Sequence, residues 1–139
     1  MCEVKPPTHA KLLMSHCIFP CHNLQMTSSY YQRVLGFEAV EYLHVEQPHI
    51  CLYRDRTEII LIQANCEVHQ HHRHLCGYGY DAYFITEQQF ELFEEFLKKG
   101  VKVVQEPKMT DYHNHEFVIE DVDGRWIAFG IKQKGEPIE

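Results

Sequence analysis

Glu116-Phe-Val-Ile-Glu-Asp-Val-Asp-Gly-Arg-Trp-Ile-Ala-Phe-Gly130 is the stretch whose reading decides the fold. Phe117 to Glu120 is rich in apolar and β-branched residues. Asp121-Val-Asp-Gly124 supplies a turn, with Gly124 free to take a positive φ. Arg125 to Ile131 then alternates, which places Trp126 and Ala128 on one face and Ile127 and Phe129 on the other. The stretch therefore predicts a β-hairpin.

Working outward, Lys11 to Phe19 predicts a strand with Met14, His16 and Ile18 on one face, and Pro20 ends it or marks a sheet edge. Asn23 to Gly36 predicts a helix with its entry turn. Thr27 or Ser28 would cap it, Tyr30, Tyr31, Val34 and Leu35 would form its apolar stripe, and Gly36 would stop it. Phe37 to Val45, Ile50 to Arg54 and Glu58 to Gln63 follow as strands, with Asp55-Arg-Thr57 as the last turn. Ala64 to Gly77 has no periodicity and holds Cys66, His69, His71, His72 and His74. Tyr80 to Ile85 predicts a strand, and Thr86-Glu-Gln-Gln89 has a capping-box pattern. In the helix that follows, Phe90, Phe93, Phe96 and Leu97 would be buried, Glu94 and Glu95 solvated, and Gly100 terminal. Val101 to Glu106 is a strand, Pro107 to Asn114 a loop, and the hairpin closes the chain.

The order is βαβββ, twice. Gly36 and Gly100, Asn23 and Glu87, and His16 and Tyr80 are each 64 residues apart. Past the final turns the offset is 68, which sets Ile60 opposite Ala128. Repetition of a mixed unit is a stronger fold signal than any single element. The expected layout is an α+β fold in one structural domain. Residues 1–10 would be a flexible lead, 11–65 the first module, 66–78 a connection, 79–132 the second module and 133–139 a tail.

Charged residues make up 24% of the 139 and hydrophobic ones 45%, ordinary for a globular domain with a real core. The net charge of −7 and the lack of a Lys/Arg cluster argue against nucleic acid or an anionic membrane as partner. No apolar run reaches the roughly 18 residues of a membrane span, and the N-terminus lacks a signal-peptide core, so a cytoplasmic protein is expected. Cys2, Cys17, Cys21, Cys51, Cys66 and Cys76 form no Cys-x-x-Cys and no scaffold spacing, and are read as reduced thiols.

Ser15-His16-Cys-Ile-Phe-Pro-Cys-His-Asn23-Leu with Tyr30-Tyr31-Gln-Arg-Val-Leu35-Gly36-Phe37 resembles the first βα unit of the vicinal oxygen chelate superfamily. Glu116 to Gly130 resembles that superfamily's closing hairpin. The resemblance spans about residues 11 to 132 and implies two βαβββ modules forming curved mixed sheets around a cup, often in a homodimer. Glyoxalase I, extradiol dioxygenases, methylmalonyl-CoA epimerase, fosfomycin-modifying enzymes and bleomycin-resistance proteins share the frame, so the fold by itself does not name a function.

In metal-dependent members the ligands come from a first and a late strand of each half, and the ion offers open positions to two substrate oxygens. Carried over by resemblance, those places are His16, Ile60, Tyr80 and Ala128, of which only His16 is a competent ligand. No metal or other cofactor is therefore expected. The reading is closest to the metal-independent, bleomycin-resistance-like members: a small-molecule binding protein holding an aromatic or planar ligand. His16, Tyr53, Tyr80, Phe84 and Trp126 are its expected cup residues. The alternative is a lyase, isomerase or dioxygenase using a divalent metal on His16 with Glu58, His113 or His115. The cluster His69, His71, His72 and His74 matches no ligand spacing and carries no assigned role.

Overall fold

The computed structural model describes residues 10–66 and 71–132. The first half runs β1 (Cys17–Cys21), α1 (Leu24–Arg33), β2 (Glu38–Tyr42), β3 (His49–Arg54) and β4 (Thr57–Gln63). A short α2 (His72–Cys76) leads to β5 (Ala82–Ile85), α3 (Gln89–Lys98), β6 (Lys102–Met109), β7 (Asn114–Glu120) and β8 (Trp126–Lys132). The strands make two four-stranded mixed sheets, ordered β1-β4-β3-β2 and β5-β8-β7-β6. In each, the first strand runs parallel to the last and the other pairs are antiparallel. The duplicated βαβββ order is therefore the architecture, and the hairpin of β7 and β8 is its closing element.

Several boundaries move, each for a local reason. Strand β1 runs through Pro20 because it is an edge strand, where a missing N–H breaks no ladder; Leu12, Leu13 and Met14 precede it fully out in solvent. Helix α1 is capped by Asn23, whose side chain accepts from the Met26 N–H at 3.0 Å, and not by Thr27 or Ser28, which are buried inside the helix. Strand β6 likewise continues through Pro107, being an edge strand with two register shifts. Thr86 accepts from the Gln88 N–H, but α3 begins only at Gln89 and no side chain caps it. Its buried side therefore turns towards Leu92, Phe93 and Phe96, and leaves Phe90 and Leu97 exposed. Glu95 is not simply solvated: it takes a two-pronged hydrogen bond from Arg54 of the first half, at 2.7 and 3.0 Å. Helix α2 lies in the aperiodic connection, where five residues are too few to show a period.

One core joins the halves. Phe19, Tyr31, Leu35, Ile50, Leu52, Ile59 and Leu61 of the first pack with Phe96, Phe117, Ile119, Ile127 and Phe129 of the second. Phe117 and Phe129 stack at 5.2 Å, with Phe93 and Phe96 edge-on to this pair.

A buried ionic clasp reinforces that junction. Arg125, 3% exposed, donates to Asp121 at 3.1 Å, to Asp123 at 2.9 Å and to the Pro20 carbonyl in β1. Its guanidinium lies 4.6 Å from the centre of the Phe19 ring. Tyr31 donates to Asp121 and Thr27 to Asp123, both at 2.6 Å. Burial opposes the Arg125 charge most strongly, but Asp121, Tyr31, Cys21 and Asp123 together outweigh it and raise the pKa. The hairpin turn thus ties β8 to the opposite half of the molecule.

Candidate functional site

Residues directly opposite in a ladder share a face. In the second sheet one row reads Gln105, Val118, Ala128, Tyr83, and the next reads Lys108, Glu116, Gly130, Ile85. This face points away from the core that holds Phe117, Ile119, Ile127 and Phe129. It is nevertheless covered, for Glu116, Val118 and Ala128 are all essentially inaccessible.

The cover is tyrosine. Tyr80 donates its hydroxyl to Glu116 Oε1 at 2.8 Å, and Tyr112, from the turn between β6 and β7, donates to the same oxygen. The two hydroxyls lie 3.1 Å apart. Asn114 donates to the Tyr83 hydroxyl at 3.3 Å. Burial first, then hydrogen bonding to Tyr112 and Glu116, pushes the Tyr80 hydroxyl far above its usual range. Burial and Glu116 do the same for Tyr83. Both therefore remain neutral donors at any ordinary pH.

Gly130 makes room for this arrangement. It sits opposite Glu116, and a Cβ there would stand 2.7 Å from the Glu116 Cβ and 2.2 Å from the His115 carbonyl oxygen. Of the five buried side-chain polar atoms without a partner among the described residues, three lie on this face: Glu116 Oε2, Asn114 Oδ1 and Gln105 Nε2. Buried polar atoms are normally satisfied, so such a concentration singles this face out.

The other expected residues are distributed unevenly. Trp126 lies at the turn end of the face, its indole N–H donating to Glu120 at 3.2 Å and the Arg73 guanidinium of α2 stacked 4.5 Å above its ring. Phe84 is on the opposite face, in a row with Phe129, and lines a cavity of about 570 Å³ between the halves beside Arg54, Leu92, Glu95 and Phe96. Alternation puts it there, because Tyr83 takes the position facing outward. Tyr53 is exposed on the first sheet, level with Glu58. His16 precedes β1 and places Nδ1 3.6 Å from Glu58 Oε2, one of the three residues expected as its partners in the alternative reading.

His113 occupies the β6–β7 turn with φ 64°, and His115 falls on the Phe117 side of β7, away from Glu116. Neither is brought to His16, and among the described residues no three His, Cys, Asp or Glu side chains are grouped to hold a metal. Of the histidine cluster, His69 lies outside the described residues. His71 is buried against the Asp123 carbonyl at 3.1 Å, and His72 bonds the Tyr80 carbonyl at 2.8 Å. These two histidines fasten the connection to the second half.

Glu116, Tyr83 and Tyr112 escaped the sequence reading. One signal was present: Glu116 is a carboxylate at an even step from Val118 and Glu120, inside a strand otherwise rich in buried residues. Tyr112 carried no local signal, since its role depends on where the turn folds back.

Two βαβββ halves, each building an open four-stranded mixed sheet, are the frame of the glyoxalase and bleomycin-resistance class. The family profile of the Glyoxalase/Bleomycin resistance protein/Dioxygenase superfamily matches residues 13–129, and the chain belongs to that superfamily. No curated protein sequence matches the chain. Among solved structures it is similar to a superfamily member from Sphaerobacter thermophilus, at 15% identity and a TM-score of 0.66, over 87% of this chain and 98% of that one. Virulence protein STM3117 from Salmonella typhimurium is 21% identical with a TM-score of 0.62, over 90% and 100% of the two chains. The fosfomycin resistance protein FosX from Listeria monocytogenes is 14% identical with a TM-score of 0.56, over 92% and 97%. At these identities the likeness speaks for the fold alone.

Proposed function

We propose that the protein binds a small planar or aromatic molecule on the second sheet's roofed face, without a metal or other cofactor. The observation that carries this reading is the set of three unpartnered polar atoms beneath Tyr80, Tyr83 and Tyr112. Aromatic walls around a few convergent polar groups are the usual make-up of a small-molecule site. Ile60 and Ala128, at the places where metal-dependent relatives carry ligands, offer no donor, which supports a binding role over metal catalysis. A homodimer in the cytoplasm is part of the proposal. Ile18, Val40, Tyr42 and Ile62 expose an apolar face on the first sheet, which a second copy's second half would cover to close the cup. Isothermal titration with 2-naphthylmethanol, a neutral planar probe, tests the site. Saturable binding that Tyr80→Ala weakens at least tenfold is expected, and no heat at millimolar probe would overturn the reading. Light scattering tests the dimer.

The His16–Glu58 pair favours a second reading, metal-dependent chemistry on the first sheet. Its test is elemental analysis after chelation and reconstitution: stoichiometric metal that His16→Ala removes would establish it.

A further inference from the structure

We infer that the ligand of the tyrosine-roofed face carries a positive charge, with a protonated amine or guanidinium seated against Glu116. This rests on the small-molecule reading above and names the chemical class. Glu116 is wholly inaccessible, yet it sits on the side of β7 away from the hydrophobic core. One carboxylate oxygen takes the hydroxyls of Tyr80 and Tyr112, and the other has no hydrogen-bond partner among the described residues, the Tyr83 hydroxyl being the acceptor of Asn114. Lys108, its row partner across β6, is exposed and leaves Oε2 without a donor.

Two residues away on the same face, Asn114 spends its amide on Tyr83 and leaves Oδ1 unpartnered. Same-face neighbours along a strand are about 7 Å apart at their Cα atoms. The two acceptors therefore lie within reach of one group that donates in several directions. An ammonium has three N–H bonds and a guanidinium five, whereas a neutral alcohol has one donor and no charge. A carboxylate removed from water interacts far more strongly with such a cation than it would in bulk solvent. The tyrosine rings add faces on which a cation is also favoured.

Access is built in at one point. Tyr112 is 49% exposed although its hydroxyl reaches a fully buried carboxylate. It comes from a short turn, closed by the Thr110 and His113 backbone and by Thr110 Oγ1 on the Asn114 N–H. Swinging this one side chain outward uncovers Oε1 without disturbing a strand. In the unliganded protein the Tyr112 hydroxyl holds the place of a ligand donor.

The test compares 2-naphthylmethylammonium with its neutral counterpart 2-naphthylmethanol by isothermal titration on the full chain at low salt. The ammonium is expected to bind at least tenfold more tightly, and Glu116→Gln to bring it down to the level of the alcohol. Tyr112→Phe, which leaves the carboxylate intact and removes a competing donor, is expected to tighten ammonium binding about threefold or more. Equal affinities in the wild type, as a carboxylate occupied only by water would give, overturn the inference and leave the small-molecule reading standing. A preference that survives Glu116→Gln overturns it as well. Should that variant not fold, a Tyr112→Phe protein with unchanged or weakened ammonium binding overturns it. If neither probe binds, the small-molecule reading falls and this inference with it.

Discussion

At matched positions 68 residues apart, β4 carries Ile62 and β8 carries Gly130. Opposite Ile62 stands His49, whose ring lies out on the surface, stacked at 4.9 Å on Tyr42 and bonded to the Gln47 carbonyl. Opposite Gly130 stands Glu116, wholly buried under three tyrosines. The backbone ladders are equivalent; the side chain removed at 130 is not. The lack of a side chain at Gly130 leaves room for the buried Glu116 opposite, whereas the first half presents an isoleucine on an open apolar face.

Breaking the tie between the halves should have the largest effect. Arg125→Met leaves Asp121 and Asp123 buried without their cation, and unfolding by urea should show a loss of about 3–5 kcal/mol. Erasing the difference at position 130 comes next. Gly130→Ala drives a methyl group into the His115 carbonyl and Glu116, and should cost about 1–3 kcal/mol. Ile62→Ala at the matched, partly exposed position should cost less than about 1 kcal/mol, and equal costs in the two variants would dissolve the contrast.

The cover over the turn end of the second face gives a smaller effect. Arg73→Met removes the cation above Trp126 and should cost about 0.5–1 kcal/mol. Trp126 is the chain's single tryptophan, so its emission should become more open to acrylamide quenching in that variant.

The smallest effect is electrostatic. A hydrogen bond from Lys102, aided by Trp126, holds the Glu120 carboxyl below its ordinary 4.5, against the opposing influence of burial. A lowered folded pKa means that the stabilisation is present above about pH 4.5 and is lost as pH falls through the folded value. Lys102→Met should make the acid limb of the stability curve shallower by a few tenths of a kcal/mol, an exposed lysine being well screened.

The chain's own pattern was enough for the repeat and the hairpin, because strand alternation and glycine stops are local properties. It was also enough to place Phe84 in a strand, but not on its face, since one residue of shift in β5 exchanges Tyr83 for Phe84. Capping by Asn23 instead of Thr27, and exposure of Phe90 and Leu97, turned on helix starts that shifted by a few residues.

By itself the sequence determined the duplicated βαβββ order, through periodicity and residue type. Only the tertiary structure decided that Glu116 would be buried with one unpartnered oxygen, that Tyr80 and Tyr112 would meet on the other, and that Arg125 would clasp Pro20 across the halves. Those contacts join residues distant in the chain or brought together by a turn. Nothing in a local window of sequence records the space that a missing side chain at Gly130 leaves on the opposite strand.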